Sequence, residues 1–141
     1  MPTRIVIDTN VIVSALRSNK GASFRLLSLI DSGKFKFGLS VPIVIEYEAA
    51  AKRLITHGGL SAADIEAIVD YICAAGEHYK IYFLWRPILK DPKDDMVLEL
   101  AVASKADAIV TFNRSDFGGS EAFGIRIITP QQLLKEIGEN I

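Results

Sequence analysis

Short apolar stretches alternate with segments of helical periodicity along this chain. β-Branched and other apolar runs predict buried strands at 4–7, 37–41, 108–110 and 126–128, with 81–84 as a further candidate for a strand or an extended segment. Apolar residues spaced three or four apart predict helices at 11–16, 23–30, 43–54, 61–75, 96–104 and 130–137. Strands that alternate with helices in this way predict an α/β domain with a mostly parallel sheet of about five strands.

Capping signals support three of these helices. Ser40 followed by Pro42 is typical of a helix N-terminus, and so is Thr129 followed by Pro130. Ser61 and Asp64 have the spacing of a capping box. The chain therefore marks several helix starts independently of its apolar periodicity.

Composition limits the class of protein. The 141 residues fit a single domain, 1–141, and the hydrophobic half of them is enough for a core. No apolar run approaches the roughly 20 residues of a membrane-spanning helix, so we expect no membrane association. One cysteine excludes an internal disulfide and suits a reducing compartment, so we expect a cytoplasmic protein. The net charge of −1 neither supports nor excludes a polyanionic partner.

Carboxylates follow the first two predicted strands. Asp8 comes directly after strand 4–7, and the carboxyl ends of parallel strands form the ligand crevice of an open sheet. The alternative is that Asp8 only caps the next helix. Glu46 lies in the first turns of the helix after the second strand, where right-handed crossovers would bring it to the same edge. Alone, it would be an ordinary surface glutamate, as we expect for Glu48.

Further acids open the helix at 96–104. Asp94 and Asp95 interact well with the helix dipole, and capping accounts for Asp94. Glu99 lies four residues after Asp95 on the same face, so the two carboxylates repel each other and a bound cation would offset the repulsion.

Polar residues also follow the strand at 108–110. Thr111, Asn113 and Asp116 lie there, where a turn is the default interpretation of Asn and Asp. Several strand ends thus present a carboxylate or an amide. Ligand sets made only of oxygen favour Mg²⁺ or Mn²⁺ and suit phosphoryl chemistry, because the ion polarises the phosphate and activates water.

In their order and spacing these segments resemble the successive motifs of the PIN-domain family, over nearly the whole chain. The similar segments are Ile5-Val-Ile-Asp-Thr-Asn-Val-Ile-Val-Ser14, the helix with Glu46, Asp94-Asp-Met-Val-Leu-Glu-Leu-Ala101, Ile109-Val-Thr-Phe-Asn-Arg-Ser-Asp-Phe117 and Ile128-Thr-Pro-Gln-Gln-Leu-Leu134. The resemblance is strongest to bacterial or archaeal single-domain PIN proteins described as toxins of toxin–antitoxin pairs. It implies a three-layer α/β/α domain and RNA cleavage that depends on Mg²⁺ or Mn²⁺.

The resemblance also implies roles for individual residues. Asp8, Glu46 and Asp95 match the central acidic triad of the family. The fourth position is commonly acidic, but here Asn113 matches it, with Asp116 three residues on. The departure leaves open which of the two supports a second metal ion.

The resemblance extends to substrate and partners. Thr9 and Thr111 match small polar positions that line the site in the family. An RNA substrate, a cognate antitoxin and a homodimer are the partners that it implies.

The resulting hypothesis is an endoribonuclease in which Asp8, Glu46 and Asp95 hold one divalent ion for in-line attack of water on RNA. Asp116 or Asn113, with Glu99, would help to hold a second ion. Basic residues near the crevice are candidates for phosphate contacts: Arg17, Lys20, Arg25 and Arg114.

Two alternatives stay open. One is a catalytically inactive PIN-like module that binds RNA or protein, which the departure at Asn113 keeps in view. The other is a Mg²⁺-dependent phosphatase of similar topology with Asp8 as nucleophile. Asn10 occupies the place where such a phosphatase would usually have a second aspartate.

Overall fold

The computed structural model describes residues 2–55, 59–81, 89 and 91–139. Five strands form one sheet: β1 (Thr3–Ile7), β2 (Phe35–Leu39), β3 (Glu77–His78), β4 (Ala108–Val110) and β5 (Arg126–Ile128). The α-helices in these ranges are α1 (Thr9–Arg17), α2 (Ala22–Ser28), α3 (Val41–Lys52), α4 (Ala62–Ala75), α5 (Pro92–Ala103) and α6 (Pro130–Glu136). Two short 3₁₀ helices, Arg114–Phe117 and Ser120–Phe123, connect β4 to β5. None of the described helices is long and apolar enough to cross a bilayer.

The sheet is parallel throughout and has the order β3-β2-β1-β4-β5. The chain starts at the central strand, builds outward to β3, and then crosses to β4 on the other side of β1. Right-handed crossovers therefore place α1–α4 on one face and α5 on the other, while α6 packs against α2. The three-layer α/β/α prediction is confirmed. The strand order reverses between β1 and β4, which is where open α/β sheets form their ligand crevice.

The core lies around the two strands that flank this reversal. Ile5, Val6 and Ile7 of β1 are buried, as is every residue of β4. Helix α5 packs across β1, β2 and β4 and buries Leu98 and Leu100 completely. The prediction of strands buried on both faces is thus confirmed for the centre of the sheet.

Capping side chains determine where the elements around the crevice begin. The bounds of β4 and β5 are as predicted. Strand β2, predicted to reach residue 41, ends at Leu39. It ends there because Ser40 caps α3: the Ser40 Oγ accepts a hydrogen bond from Ile43 N at 3.3 Å. Helix α5 starts at Pro92, four residues before the predicted start, because the Asp91 side chain accepts from Lys93 N at 2.9 Å. The first turn of α5 therefore includes both Asp94 and Asp95.

The third strand differs from the prediction. Of the candidate segment 81–84, residues 82–84 lie outside the described residues, and residue 81 is not in a strand. The observed β3 pairs Glu77 and His78 with Gly38 and Leu39 of β2. Two polar residues at a sheet edge have no hydrophobic alternation, so no sequence pattern could reveal them.

Candidate active site

Asp8 lies at the end of β1, in the crevice where the strand order reverses. Its backbone N–H donates to the carbonyl of Val110 at 2.9 Å and extends the β1–β4 pairing by one residue. Its side chain is almost completely buried, and its Oδ1 accepts from Thr9 N at 2.8 Å. Asp8 is therefore both the N-cap of α1 and the acid on the floor of the crevice. The two interpretations of this residue are compatible.

The second oxygen of Asp8 is held by Thr111, the first residue after β4. Thr111 Oγ1 donates to Asp8 Oδ2 at 2.8 Å, and the threonine is completely buried. The same hydroxyl oxygen accepts from Asn10 Nδ2 at 3.3 Å and from Asn113 N at 3.0 Å. These bonds join the loop after β1 to the loop after β4 and fix the orientation of the Asp8 carboxylate.

The Asp8 carboxyl group has a raised pKa. Burial is the main cause, and the negative charges of Asp116 and Glu46 add to it. The hydrogen bonds from Thr111 and from Thr9 N oppose the rise. The structure therefore brings Asp8, Asp116 and Glu46 within electrostatic range of one another at this edge. Such mutual repulsion favours a cation between the carboxylates.

Asp94 belongs to the same group of charges. Burial, followed by the negative charges of Asp8, Asp116, Asp91 and Asp95, raises the pKa of Asp94 to about 6. The sequence reasoning explained Asp94 as a helix cap only and so missed it. No local signal separates Asp94 from Asp95, because both lie in the first turn of α5.

Asp95 has a different environment from its neighbour. It is buried, and its Oδ1 accepts from the backbone N–H of Leu89 at 2.9 Å. That bond ties the start of α5 to the segment before it. Asp95 is thus placed to support the position of α5, and the charges of Asp8 and Asp116 act on Asp94.

Glu46 lies on α3 and faces the start of α5. Its side chain is only 18% exposed, and its Oε1 lies 3.6 Å from Lys93 Nζ. This ion pair joins α3 to the first turn of α5, one residue before Asp94. Glu48 pairs instead with Lys52 on the exposed side of α3, as expected for a surface charge.

The remaining predicted residues lie at the rim or further away. Asn113, Arg114 and Asp116 are exposed after β4, and Asp116 is the one whose charge acts on Asp8 and Asp94. Glu99 is half-buried on α5. Of the other basic candidates for phosphate contacts, Arg25 forms an ion pair with Glu139 at 2.5 Å, whereas Arg17 and Lys20 are exposed near the end of α1.

The donor atoms at this edge of the sheet are of the kind that binds a divalent ion. They are carboxylate oxygens, with hydroxyl and amide groups behind them. Within the described ranges, no three or more His, Cys, Asp or Glu side chains are already arranged to hold a metal. Mg²⁺ usually keeps several of its waters and needs only one or two carboxylates, so a looser group of acids satisfies its preferences.

A cleft of about 620 Å³ lies at the opposite edge of the sheet. Its basic side chains are those of Arg4, Lys36, Lys105 and Arg126. Arg4 and Arg126 are paired with acids at 3.0 Å and 2.9 Å, respectively. The cleft is lined by the amino ends of the strands and is therefore separate from the acids around Asp8.

Comparison with known proteins identifies the family and supports the fold. A crystal structure of VapBC2 from Rickettsia felis, bound to a DNA fragment from their promoter, is similar, with a TM-score of 0.58 and 13% identity. The match covers 90% of this chain and 98% of that chain, and at this identity it shows the fold alone. No curated protein matches the chain. A family model described as the PIN domain matches residues 4–115, which include Asp8, Glu46, Asp94 and Thr111. The chain therefore belongs to the PIN-domain family.

Proposed function

We propose that this protein is a metal-dependent endoribonuclease that hydrolyses RNA phosphodiester bonds. The observation that carries the proposal is the position of Asp8, buried at the reversal of strand order among other acids. Burial, and then the charges of neighbouring acids, raise the pKa values of Asp8 and Asp94. Membership of the PIN-domain family supports it, because PIN domains are generally nucleases that use divalent metals.

The residues divide into those that would hold the ion and those that orient them. Asp8, Glu46 and Asp94 would hold Mg²⁺ or Mn²⁺, directly or through water, with Asp116 as a fourth acid. We propose Asp94 for the place that sequence matching assigned to Asp95, because the charges of Asp8 and Asp116 act on Asp94. When bound, the ion would lower the pKa of a water molecule and neutralise charge on the phosphate.

The chain itself supplies orientation and charge control. Thr111 and Thr9 hold one Asp8 oxygen each, so the carboxylate keeps one direction. Lys93 partly neutralises Glu46, and a cation at the site would compete with that ion pair. Arg114 is exposed at the rim and is a candidate for binding a phosphate of the substrate. Glu99 would support a second ion from its position on α5.

The biological setting is part of the proposal. The sequence resemblance is to toxins of toxin–antitoxin pairs, and the similar VapBC2 structure contains promoter DNA. We propose that the chain is the toxin of such a pair, cytoplasmic, homodimeric and controlled by a cognate antitoxin. Co-expression with the product of an adjacent gene, followed by co-purification, would test the partner.

The nuclease proposal is tested with a pool of structured and unstructured RNA in the presence of Mg²⁺ or Mn²⁺. We expect cleavage by the wild type, loss of cleavage in Asp8→Asn and in EDTA, and full cleavage by Asp70→Asn. Asp70 is exposed on α4 and gives a matched removal of one charge away from the site. Cleavage that survives in Asp8→Asn would refute the assignment of the site.

Two other outcomes would favour the alternatives. RNA that is bound but never cut in either ion would support an inactive binding module. Turnover of a small phosphoester without RNA cleavage would support a phosphatase. Against the phosphatase, the Asn10 side chain is engaged on both sides: its amide donates to Thr111, and its Oδ1 accepts from Phe112 N at 3.4 Å.

A further inference from the structure

Phe112 is a large, exposed apolar side chain that lies next to the candidate site in sequence. It follows Thr111 directly at the acidic edge of the sheet, and it is 48% exposed. Phe117, five residues later in the same connection, is completely buried. The segment can therefore bury an aromatic ring in the core, yet it leaves this one in contact with water beside the site.

The backbone that carries Phe112 is fixed on both sides. Thr111 N donates to Ile128 O at 2.9 Å, and Asn113 N donates to Thr111 Oγ1 at 3.0 Å. The N–H of Phe112 itself donates to Asn10 Oδ1 at 3.4 Å. Three successive N–H groups are thus bonded, so the ring extends from an ordered backbone. It lies one residue from the hydroxyl that donates to Asp8.

The chemistry of a phenylalanine ring limits the parts of a nucleic acid that it can bind. The ring has no hydrogen-bonding group, so it offers nothing to a phosphate or a ribose hydroxyl. It does offer a flat face, and every nucleobase has a matching one. A base inside a duplex is already stacked on its neighbours, so only an unpaired base is free to use this face.

We propose that Phe112 stacks on an unpaired base of the RNA substrate, next to the phosphate that the acids would receive. This inference rests on the proposed function and deepens it. It names Phe112 as the residue that contacts a base of the substrate. Arg114, two residues on and exposed, is near enough in sequence to bind an adjoining phosphate.

The experiment measures binding without turnover, in EDTA. A single-stranded oligoribonucleotide carries 2-aminopurine, whose fluorescence is quenched when the base stacks. The variants are Phe112→Leu, which keeps an apolar side chain but removes the aromatic face, and Phe112→Trp, which keeps an aromatic face. Phe24→Ala, at an exposed phenylalanine on α2, is the matched control.

We expect the wild type, Phe112→Trp and Phe24→Ala to bind and to quench the probe. Phe112→Leu should bind about 5- to 140-fold more weakly and should lose the quenching, which corresponds to stacking worth roughly 1–3 kcal/mol. The preference of the wild type for single-stranded over duplex RNA should shrink to the same extent. Thermal unfolding of each variant checks that the fold is intact.

The outcomes separate this inference from the nuclease proposal. Quenching and affinity unchanged in Phe112→Leu would overturn the stacking role while leaving the nuclease proposal intact. Loss of self-association in Phe112→Leu with RNA binding unchanged would also overturn it and assign the ring to a protein contact. A wild type that binds no RNA would overturn both proposals together.

Discussion

Asparagine in place of Asp94 is expected to stabilise the folded protein at neutral and higher pH while it abolishes RNA cleavage. Burial first, and then neighbouring negative charges, raise the pKa of Asp94 from its ordinary value of 3.8 to about 6. A carboxyl group whose pKa is higher in the folded state binds its proton more tightly there. Its favourable contribution to stability is therefore complete below 3.8 and is lost as the pH rises through about 6.

The size of the effect follows from the same pKa difference. A difference of about 2 corresponds to roughly 3 kcal/mol at 1.36 kcal/mol for each pKa unit. Because the Asp94 side chain is only half-buried, water screens its repulsions, and we discount the value to about 1 kcal/mol. Asp94→Asn should thus raise the free energy of unfolding by about 1 kcal/mol at about pH 8, or about 3 °C in Tm. It should change little at about pH 3, where the carboxyl group is protonated in both states.

Urea unfolding followed by circular dichroism, in EDTA and across this pH range, measures the difference. Asp95→Asn is the matched control, since it removes the same charge one residue away and keeps an oxygen that can accept from Leu89 N. We expect Asp95→Asn to gain less stability than Asp94→Asn and to retain RNA cleavage. A gain for Asp94→Asn that is equal at low and high pH would refute the electrostatic reasoning. Full cleavage by Asp94→Asn would refute its place in the site.

Addition of Mg²⁺ tests the role of Asp94 in a second way. An ion that binds only the folded state stabilises it by about 2.7 kcal/mol at 100 times its Kd. We expect Mg²⁺ to raise the Tm of the wild type more than that of Asp94→Asn, so that the advantage of the variant disappears. An equal rise in both proteins would exclude Asp94 from the group that holds the ion.

The remaining predictions concern the frame of the site. Tyr47 is buried on α3, and its hydroxyl donates to the carbonyl of Ile7. Tyr47→Phe should therefore lower the free energy of unfolding by about 1–3 kcal/mol. Tyr71→Phe, at an exposed position, is the control and should not lower it. A Cβ on Gly76 would lie 2.5 Å from a leucine side chain of β2, so Gly76→Ala should cost about 1–3 kcal/mol in urea unfolding. Gly118→Ala, where the new Cβ meets nothing closer than 3.8 Å, is the control, and an equal loss in both would contradict the steric explanation.

The position of Asp8 could be predicted because it depends on local sequence and on one general rule. A β-branched run ending at a polar residue marks the end of a buried strand, and parallel strands bring such ends to one edge. The caps of α3 at Ser40 and of α6 at Thr129 and the capping box at Ser61 are equally local and were predicted correctly. Each of these features involves residues within about four positions of one another.

The choice between Asp94 and Asp95 could not be made in this way. Both lie in the first turn of α5, and both satisfy the helix dipole. What separates them is the way in which α5 lies across the sheet, together with the Leu89 N–H that bonds to Asp95. The ion pair between Glu46 and Lys93 likewise joins two helices that are far apart in sequence. Such information is tertiary, and no local pattern contains it.

The hydrogen bonds of Asp8 show why capping α1 and the proposed catalytic role need not be alternatives. Each carboxylate oxygen can accept two hydrogen bonds, and Thr9 N and Thr111 Oγ1 occupy one position on each. One position per oxygen is left for a cation or its water, so the bonds that fix the carboxylate also leave it able to act. In Asp8→Asn the remaining oxygen can still cap α1, but the amide now faces a Thr111 oxygen that already accepts from Asn10 and Asn113. The variant should therefore fold with a modest loss of stability and lack the charge that the proposed chemistry requires.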